Sequence, residues 1–266
     1  MDRRQKRSSL ALILILALLT GLAGLWVLMA PAEELEDKTW ERIQQQGVMR
    51  IGMDASYPPF EDIDEEGNLI GYDIDLAHEL ARRFGVDVEF VIISFDGLYD
   101  ALLVERIDLI ISALPFDPRL TEDATYSYSY FNAGQVLVVG EDHEGIVGID
   151  SLAGRRVGVE LGSMGDVEAR QLLRKMEFDL FPYRTPEEAL TMLKEGQADA
   201  AIMDVISTYQ FIREQGGVKI VGSPVTDDPY VIAMPLKSPI VQERINQAIL
   251  ELSGTGFLDQ LRMKWF

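Results

Sequence analysis

The chain has 266 residues, 47% of them hydrophobic, which suits one large or two medium domains. It has no cysteine and only two histidines. That excludes a disulfide framework, a thiol nucleophile and cysteine-based metal sites, and argues against a histidine triad or a histidine-rich metal site. A net charge of −20 repels phosphate backbones and anionic headgroups, so nucleic acid is not an expected partner.

Residues 1–32 stand apart from the fold. Arg3, Arg4, Lys6 and Arg7 form a basic flank, and Leu10 to Met29 is an uncharged, mainly apolar run of twenty residues. That exceeds the ~7–15 residues of a secretory core and matches the ~20 that span a bilayer. Ala30-Pro31-Ala32 nevertheless offers a small-x-small cleavage site. A cleaved signal peptide and a retained membrane anchor both fit, and either way the basic flank stays inside and the body lies outside the cytoplasm. The body then carries 20 Lys and Arg against 43 Asp and Glu, a net charge of −23.

Glu34–Gln46 is a polar, helix-prone lead-in. Val48–Met53 reads as a strand that runs straight into Asp54, Tyr57, Pro58, Pro59 and Phe60. Ligands of open α/β sheets sit outside the carboxyl ends of strands, so a carboxylate and aromatic faces on this stiff loop suit a binding site. A core strand followed by a Pro-Pro turn is the alternative. Glu61–Gly71 reads as a hairpin turning on Glu66-Gly67-Asn68. Asp73–Phe84 is a helix with Ile74, Ala77, Leu80, Ala81 and Phe84 on one face, stopped by Gly85, and His78 falls on its polar side. Val86–Ile93 is a strand, Asp96–Glu105 a helix and Leu109–Ser112 a buried strand. This β-α-β-α-β run predicts a mostly parallel sheet.

A second run follows His143, which sits among acids and reads as solvated, like His78. Arg155–Glu160 is a strand and Gly162-Ser163 a helix start. Thr185–Lys194 is a helix capped by Thr185 with Pro186 in its first turn. Ala200–Met203 is a strand, Val205–Glu214 a helix, Tyr230–Met234 a strand, and Pro239–Leu252 and Phe257–Trp265 are helices. ALLVERIDLIIS (101–112) and MLKEGQADAAIM (192–203) both run helix, turn, Asp, buried strand, with Asp108 and Asp199 in register. The halves therefore suggest two similar lobes. Crossings are expected near 130–134 and 226–231, giving lobe 1 as 48–130 plus 231–266 and lobe 2 as 134–228. Two strand-like connectors make a hinge with a cleft between the lobes.

Four stretches, IGMDASYPPF, GYDIDLAHELARRFG, FDGLYDALLVERIDLIIS, and LAGRRVGVELGS followed by ADAAIMD, together resemble the amino-acid-type family of periplasmic solute-binding proteins, which serve ABC transporters. The resemblance covers about Val48 to Phe266. It implies an α/β fold, a two-lobed type II periplasmic-binding-protein-like clamshell with two hinge crossings, acting as a monomer without cofactor or metal. It also implies a small amino acid or amine ligand and an ABC transporter permease as partner. Position by position, it puts Asp54 and Tyr57 at the ligand side chain, with Phe95 as a second aromatic wall. Ser112 and Ala113 take amine protons, and Ser163 with the amides of Met164 and Gly165 holds a carboxylate. Asp204 pairs with an α-ammonium.

Elementary physics agrees with these roles. A helix start offers unpaired N–H groups and about half a positive charge, a seat for a carboxylate. Asp204 follows a buried strand, where a lone acid is costly unless paired; a cap on the next helix is its other role. Tyr57 and Phe95 beside acids suit a cationic or apolar side chain.

The departure lies after Ser112. Where the family usually has Thr or Ser and then a carboxylate-gripping Arg, this chain has Pro115 and Leu120. Arg119 is displaced by one residue, a swing of ~100° on a helical turn. Glu160 adds negative charge to the second lobe. A polar or cationic amino acid is the expected ligand, and an amine without a full carboxylate clamp is the competitor. A membrane-tethered sensing module and a dehydratase-like enzyme are the alternatives in function. The Gly162-Ser163-Met164-Gly165 run lacks both the spacing of a nucleophile elbow and the Lys of a P-loop.

Overall fold

The computed structural model describes residues 36–266. The apolar run at 10–29 and the cleavage-like tripeptide lie outside these residues. Among the described residues, no helix is long and apolar enough to cross a membrane.

In chain order the elements are α1 (Lys38–Gln46), β1 (Val48–Met53), β2 (Asp62–Ile63), β3 (Leu69–Ile70), α2 (Tyr72–Phe84), β4 (Asp87–Ile92), α3 (Leu98–Leu103), β5 (Leu109–Ile110), β6 (Ala124–Tyr126), β7 (Phe131–Asn132) and β8 (Gln135–Gly140). There follow β9 (Arg156–Glu160), α4 (Met164–Leu172), β10 (Asp179–Tyr183), α5 (Pro186–Lys194), β11 (Ala200–Asp204), α6 (Val205–Glu214), β12 (Val218–Val221), β13 (Pro229–Tyr230), β14 (Ala233–Pro235), α7 (Pro239–Gly254) and α8 (Phe257–Trp265).

The strands form two five-stranded sheets, in the orders β4-β1-β5-β14-β6 and β10-β9-β11-β8-β12. In the first, β1 runs parallel to β4 and β5, and β14 antiparallel to β5 and β6. In the second, β9 runs parallel to β10 and β11, and β8 antiparallel to β11 and β12. Each sheet thus has a three-stranded parallel core flanked by one antiparallel strand, β14 in the first and β8 in the second, with an edge strand beyond it. With helices on both, the molecule is a two-lobed α/β structure.

Between the sheets in chain order lies a small ribbon, β7 paired antiparallel with β13. Its bonds continue past the ribbon: Ala133 N–H donates to Asp228 O at 2.9 Å and Gln135 N–H to Thr226 Oγ1 at 2.8 Å. The Asn132 amide nitrogen also donates to Asp227 Oδ1 at 2.8 Å. The two passages of chain are therefore tied to each other as well as to the lobes. Around them Phe60 packs edge-on against Tyr72, Phe131, Tyr230 and Phe266, with centroids 4.9–5.9 Å apart. Helix α7 lies on α1 and α2, and α8 on α2. The end of α8 also meets α6, where Arg213 donates to Trp265 O at 3.0 Å.

The bottom of each lobe carries the same clasp. Arg50 N–H donates to Asp108 Oδ2 at 2.9 Å and its guanidinium to Oδ1 at 2.9 Å. Arg156 N–H donates to Asp199 Oδ2 at 2.8 Å and its guanidinium to Oδ1 at 2.7 Å. The weak sequence echo thus has a physical content, a strand-start arginine bonded twice to the acid before the neighbouring strand.

Several expectations change. Strands β6, β8, β10 and β12 were not anticipated, and the expected strand Tyr230–Met234 is two pieces, one in the ribbon and one in the sheet. His78 is exposed and edge-on to Phe90, whereas His143 is half-buried, with Nε2 enclosed and without a partner among the described residues.

Candidate functional site

At the carboxyl ends of β1 and β5 lies a cavity of about 330 Å³, lined by Asp54, Ser56, Tyr57, Glu61, Phe95, Ser112, Ala113, Pro115 and Tyr230. That is the scale of a small-molecule site. Strand β1 delivers Asp54, whose two oxygens organise the mouth: Oδ1 accepts from Ser56 Oγ at 2.7 Å and Oδ2 from the Phe95 amide at 2.9 Å. Asp54 thereby fixes the loop that presents Phe95. Tyr57 stacks on buried Phe60, centroids 5.7 Å apart and 5° from parallel. Tyr57 and Phe95 remain 46% and 43% exposed, so two aromatic faces line the cavity and are still available.

The floor is polar and enclosed. Ser112 Oγ accepts from the Asp54 amide at 3.0 Å and donates to Glu61 Oε1 at 2.6 Å. Its proton is thus committed, and what it can offer a ligand is a lone pair, which fits an ammonium donor. Ala113 sits at φ 41°, a left-handed conformation strained for a residue with a Cβ, and its amide donates to Asp73 Oδ2 at 2.6 Å. The Tyr130 hydroxyl reaches the same oxygen at 3.0 Å.

Gly71 brings Asp73 here. Its φ is 141°, and a Cβ would lie 2.0 Å from Phe60 O, so only glycine permits this approach. The close contact lets the amides of Tyr72 and Asp73 donate to Pro59 O and Phe60 O at 3.0 and 2.9 Å, drawing the start of α2 under the Phe60-Glu61 loop. Burial, and then the neighbouring Asp73 charge, push the Glu61 carboxyl up to about 10. Asp73 is raised by burial to about 6, held back by the Ala113 amide, by the neighbouring Glu61 carboxyl and by the Tyr130 hydroxyl.

Of the residues predicted from sequence, Asp54, Tyr57, Phe95, Ser112 and Ala113 come together in this cavity. Arg119 lies in a neighbouring groove that shares Phe95 and Pro115 with it. Its guanidinium is folded onto Asp117 at 2.7 Å, and its side chain is 87% exposed.

Glu160, Ser163, Met164, Gly165 and Asp204 belong to the second lobe and do not line the cavity. Ser163 caps α4: its Oγ accepts from the Asp166 amide at 3.2 Å and donates to Glu160 O at 2.8 Å. Asp166 Oδ2 accepts in return from the Gly162 amide at 3.1 Å. The amides of Met164 and Gly165 are among those a helix start leaves unpaired. A Cβ on Gly165 would stand 2.5 Å from Ile202 O, so its bareness sets how closely α4 approaches β11. Asp204 caps α6, its Oδ1 accepting from the Ser207 amide at 2.8 Å.

Sequence reasoning missed Ser56, Glu61, Pro115 and Tyr230. Glu61 was legible only as an acid directly after the Tyr57–Phe60 loop, and nothing in the sequence reports that it is buried. Gln135 was also missed. It is 8% exposed, pairs with Asp204 across β8 and β11, and has no partner for Oε1 among the described residues.

Against this geometry, the model of the "bacterial extracellular solute-binding proteins, family 3" matches residues 49–266. The lysine/arginine/ornithine-binding periplasmic protein of Escherichia coli (strain K12) is 29% identical over 227 residues, covering 82% of this chain and 87% of that one. A solved ancestral cationic amino acid solute-binding protein is 30% identical with a TM-score of 0.59, covering 86% of this chain and all of its own. An ancestral cyclohexadienyl dehydratase superposes with a TM-score of 0.77 at 24% identity, covering 88% and 98%, a likeness of fold.

Proposed function

Because the chain belongs to the bacterial extracellular solute-binding proteins of family 3, we propose that it is the extracytoplasmic binding component of an ABC importer whose ligand is a cationic amino acid. The observation that carries this reading is the composition of the cavity: Asp54 and Glu61 beside the open faces of Tyr57 and Phe95, with no Arg or Lys among the lining residues. Aromatic faces and carboxylates attract a guanidinium or ammonium. The lysine/arginine/ornithine-binding relative supports the same class.

The ribbon at 131–132 and 229–230 is the hinge in this reading. Its closure brings Ser163 and the amides of Met164 and Gly165 to the ligand carboxylate, and Asp204 to the α-ammonium. Glu160 adds negative charge at that lip, and Arg119, bound to Asp117, stays at the rim. Lobe 1 is 48–130 plus 231–266 and lobe 2 is 134–228. Residues 10–29 carry the chain out of the cytoplasm, as a cleaved signal or an anchor, and a separate permease takes the ligand. A dehydratase on this fold needs cationic groups for its acidic substrate, and the lining residues favour cations instead.

Calorimetry against arginine, lysine, glutamine, glutamate and putrescine tests the assignment. Arginine or lysine should bind most tightly. Tight binding of glutamate, with no heat from any cationic solute, would overturn it.

A further inference from the structure

The floor of the cavity holds the Glu61 carboxyl, with the Asp73 carboxyl enclosed behind it, and no cation among the described residues satisfies either. Glu61 is 1% exposed and Asp73 is not exposed at all. Their oxygens can be followed one by one. Glu61 Oε1 takes the Ser112 hydroxyl, and Asp73 Oδ2 takes the Ala113 amide and the Tyr130 hydroxyl. Glu61 Oε2 and Asp73 Oδ1, both enclosed, have no donor among the described residues.

Two such carboxylates cannot both ionise, because burial penalises each charge and each repels the other. The remaining oxygens satisfy one another only through a proton held between the groups. Burial and the Asp73 charge put that proton on Glu61 at neutral pH. The charged and titratable groups that face the pair are Asp54 on the strand-end loop, Tyr230 at the mouth, itself next to Tyr57 and Asp228, and Tyr72 and Tyr130 behind it. Arg262 of α8 faces Tyr72.

We propose that this proton is exchanged for the ligand: when a cationic side chain enters between Tyr57 and Phe95, Glu61 releases its proton to solvent and pairs with the cation beside Asp54. The inference rests on the cationic ligand assigned above. One positive charge enters the site and one leaves, so the enclosed floor never carries two unbalanced carboxylates. A neutral side chain cannot drive the exchange, and the pair then keeps its proton. Glu61 is therefore a specificity-determining residue that recognises charge, while Asp73 positions it. By linkage, arginine affinity should rise with pH on the alkaline side of neutral, by up to about tenfold per pH unit.

The experiment is titration calorimetry near neutral pH in phosphate, HEPES and Tris, whose ionisation enthalpies differ. The slope of observed heat against buffer enthalpy counts protons released. Arginine should release close to one proton per site and glutamine close to none. Glu61→Gln, which imitates the protonated carboxyl, should bind arginine with the slope abolished. A flat arginine slope, an equal slope for glutamine, or an unchanged slope in the variant overturns the exchange. Should the variant not fold, the two wild-type titrations decide alone. No heat from arginine, lysine or glutamine would sink the ligand assignment, and the exchange with it.

Discussion

Glu61 holds a proton that the unfolded chain would release at neutral pH, so it ties stability to pH as well as binding. The sign follows from where the proton is held more tightly. A glutamate titrates near 4.3 in the unfolded chain, and Glu61 in the fold is pushed up to about 10. Its favourable contribution is therefore complete below about pH 4 and is lost as pH rises toward 10; Asp73, raised to about 6, acts in the same sense over a narrower window. The urea midpoint should fall between pH 5 and 9, and Glu61→Gln should flatten that decline. A steeper decline in the variant would contradict the buried proton. At Asp204 the observed cap and the proposed contact with ligand can be separated by one substitution. Asn caps helices as well as Asp does, so Asp204→Asn should keep the cap on α6 and leave the urea midpoint unchanged. Arginine binding should weaken by about 1.5–3 kcal/mol, the scale of a hydrogen bond to a charged group. Unchanged affinity would reduce Asp204 to a cap.

Helix α1 shows how one buried residue can serve two elements. Asp37 is fully buried: Oδ1 caps α1 by accepting from the Trp40 amide at 2.9 Å, and Oδ2 accepts from the Ile240 and Val241 amides at the start of α7, at 2.8 and 2.9 Å. Two positive helix ends thus share one carboxylate. Asp37→Ala should cost about 2–4 kcal/mol, a lost cap plus two orphaned amides, read from urea unfolding; a loss as small as that of an ordinary surface substitution would show that water replaces the bonds. Element by element, the sequence was most readable where pattern and punctuation agreed. Strand β1 has its bounds as expected, and Thr185 caps α5 with Pro186 after it. Strands β6, β10 and β12 escaped notice because they are sheet edges, where one side is unpaired and the apolar signal is diluted; β10 even carries Pro182, which an edge tolerates. Strand β8 is interior and almost wholly buried, but its apolar run, Val136–Val139, is only four residues long, which periodicity alone does not assign. At the site, Asp54, Tyr57, Phe95 and Ser112 were legible because strand ends are. Glu61 and Asp73 were not, since their meeting depends on the contact that Gly71 permits between two loops.

At the scale of the whole molecule, the repeated Arg50–Asp108 and Arg156–Asp199 clasps anchor the base of each parallel core, while the residues proposed to bind ligand sit at the opposite, carboxyl ends of the strands. Rigid bases and a thin ribbon between the sheets fit a molecule that moves as two bodies. The insertion of β14 between β5 and β6 has a further consequence, in the order of assembly. The second sheet is drawn from one unbroken stretch, 135–221, whereas the first cannot be completed until β14 arrives, more than a hundred residues after β6, with α7 and α8 to cover it. A chain emerging from a ribosome or a translocation channel with its N-terminus leading can therefore finish its second lobe while the first still waits with an open seam. The part of the protein that begins first closes last, and until then the floor beneath Glu61 lacks Tyr230 and the aromatic packing around it.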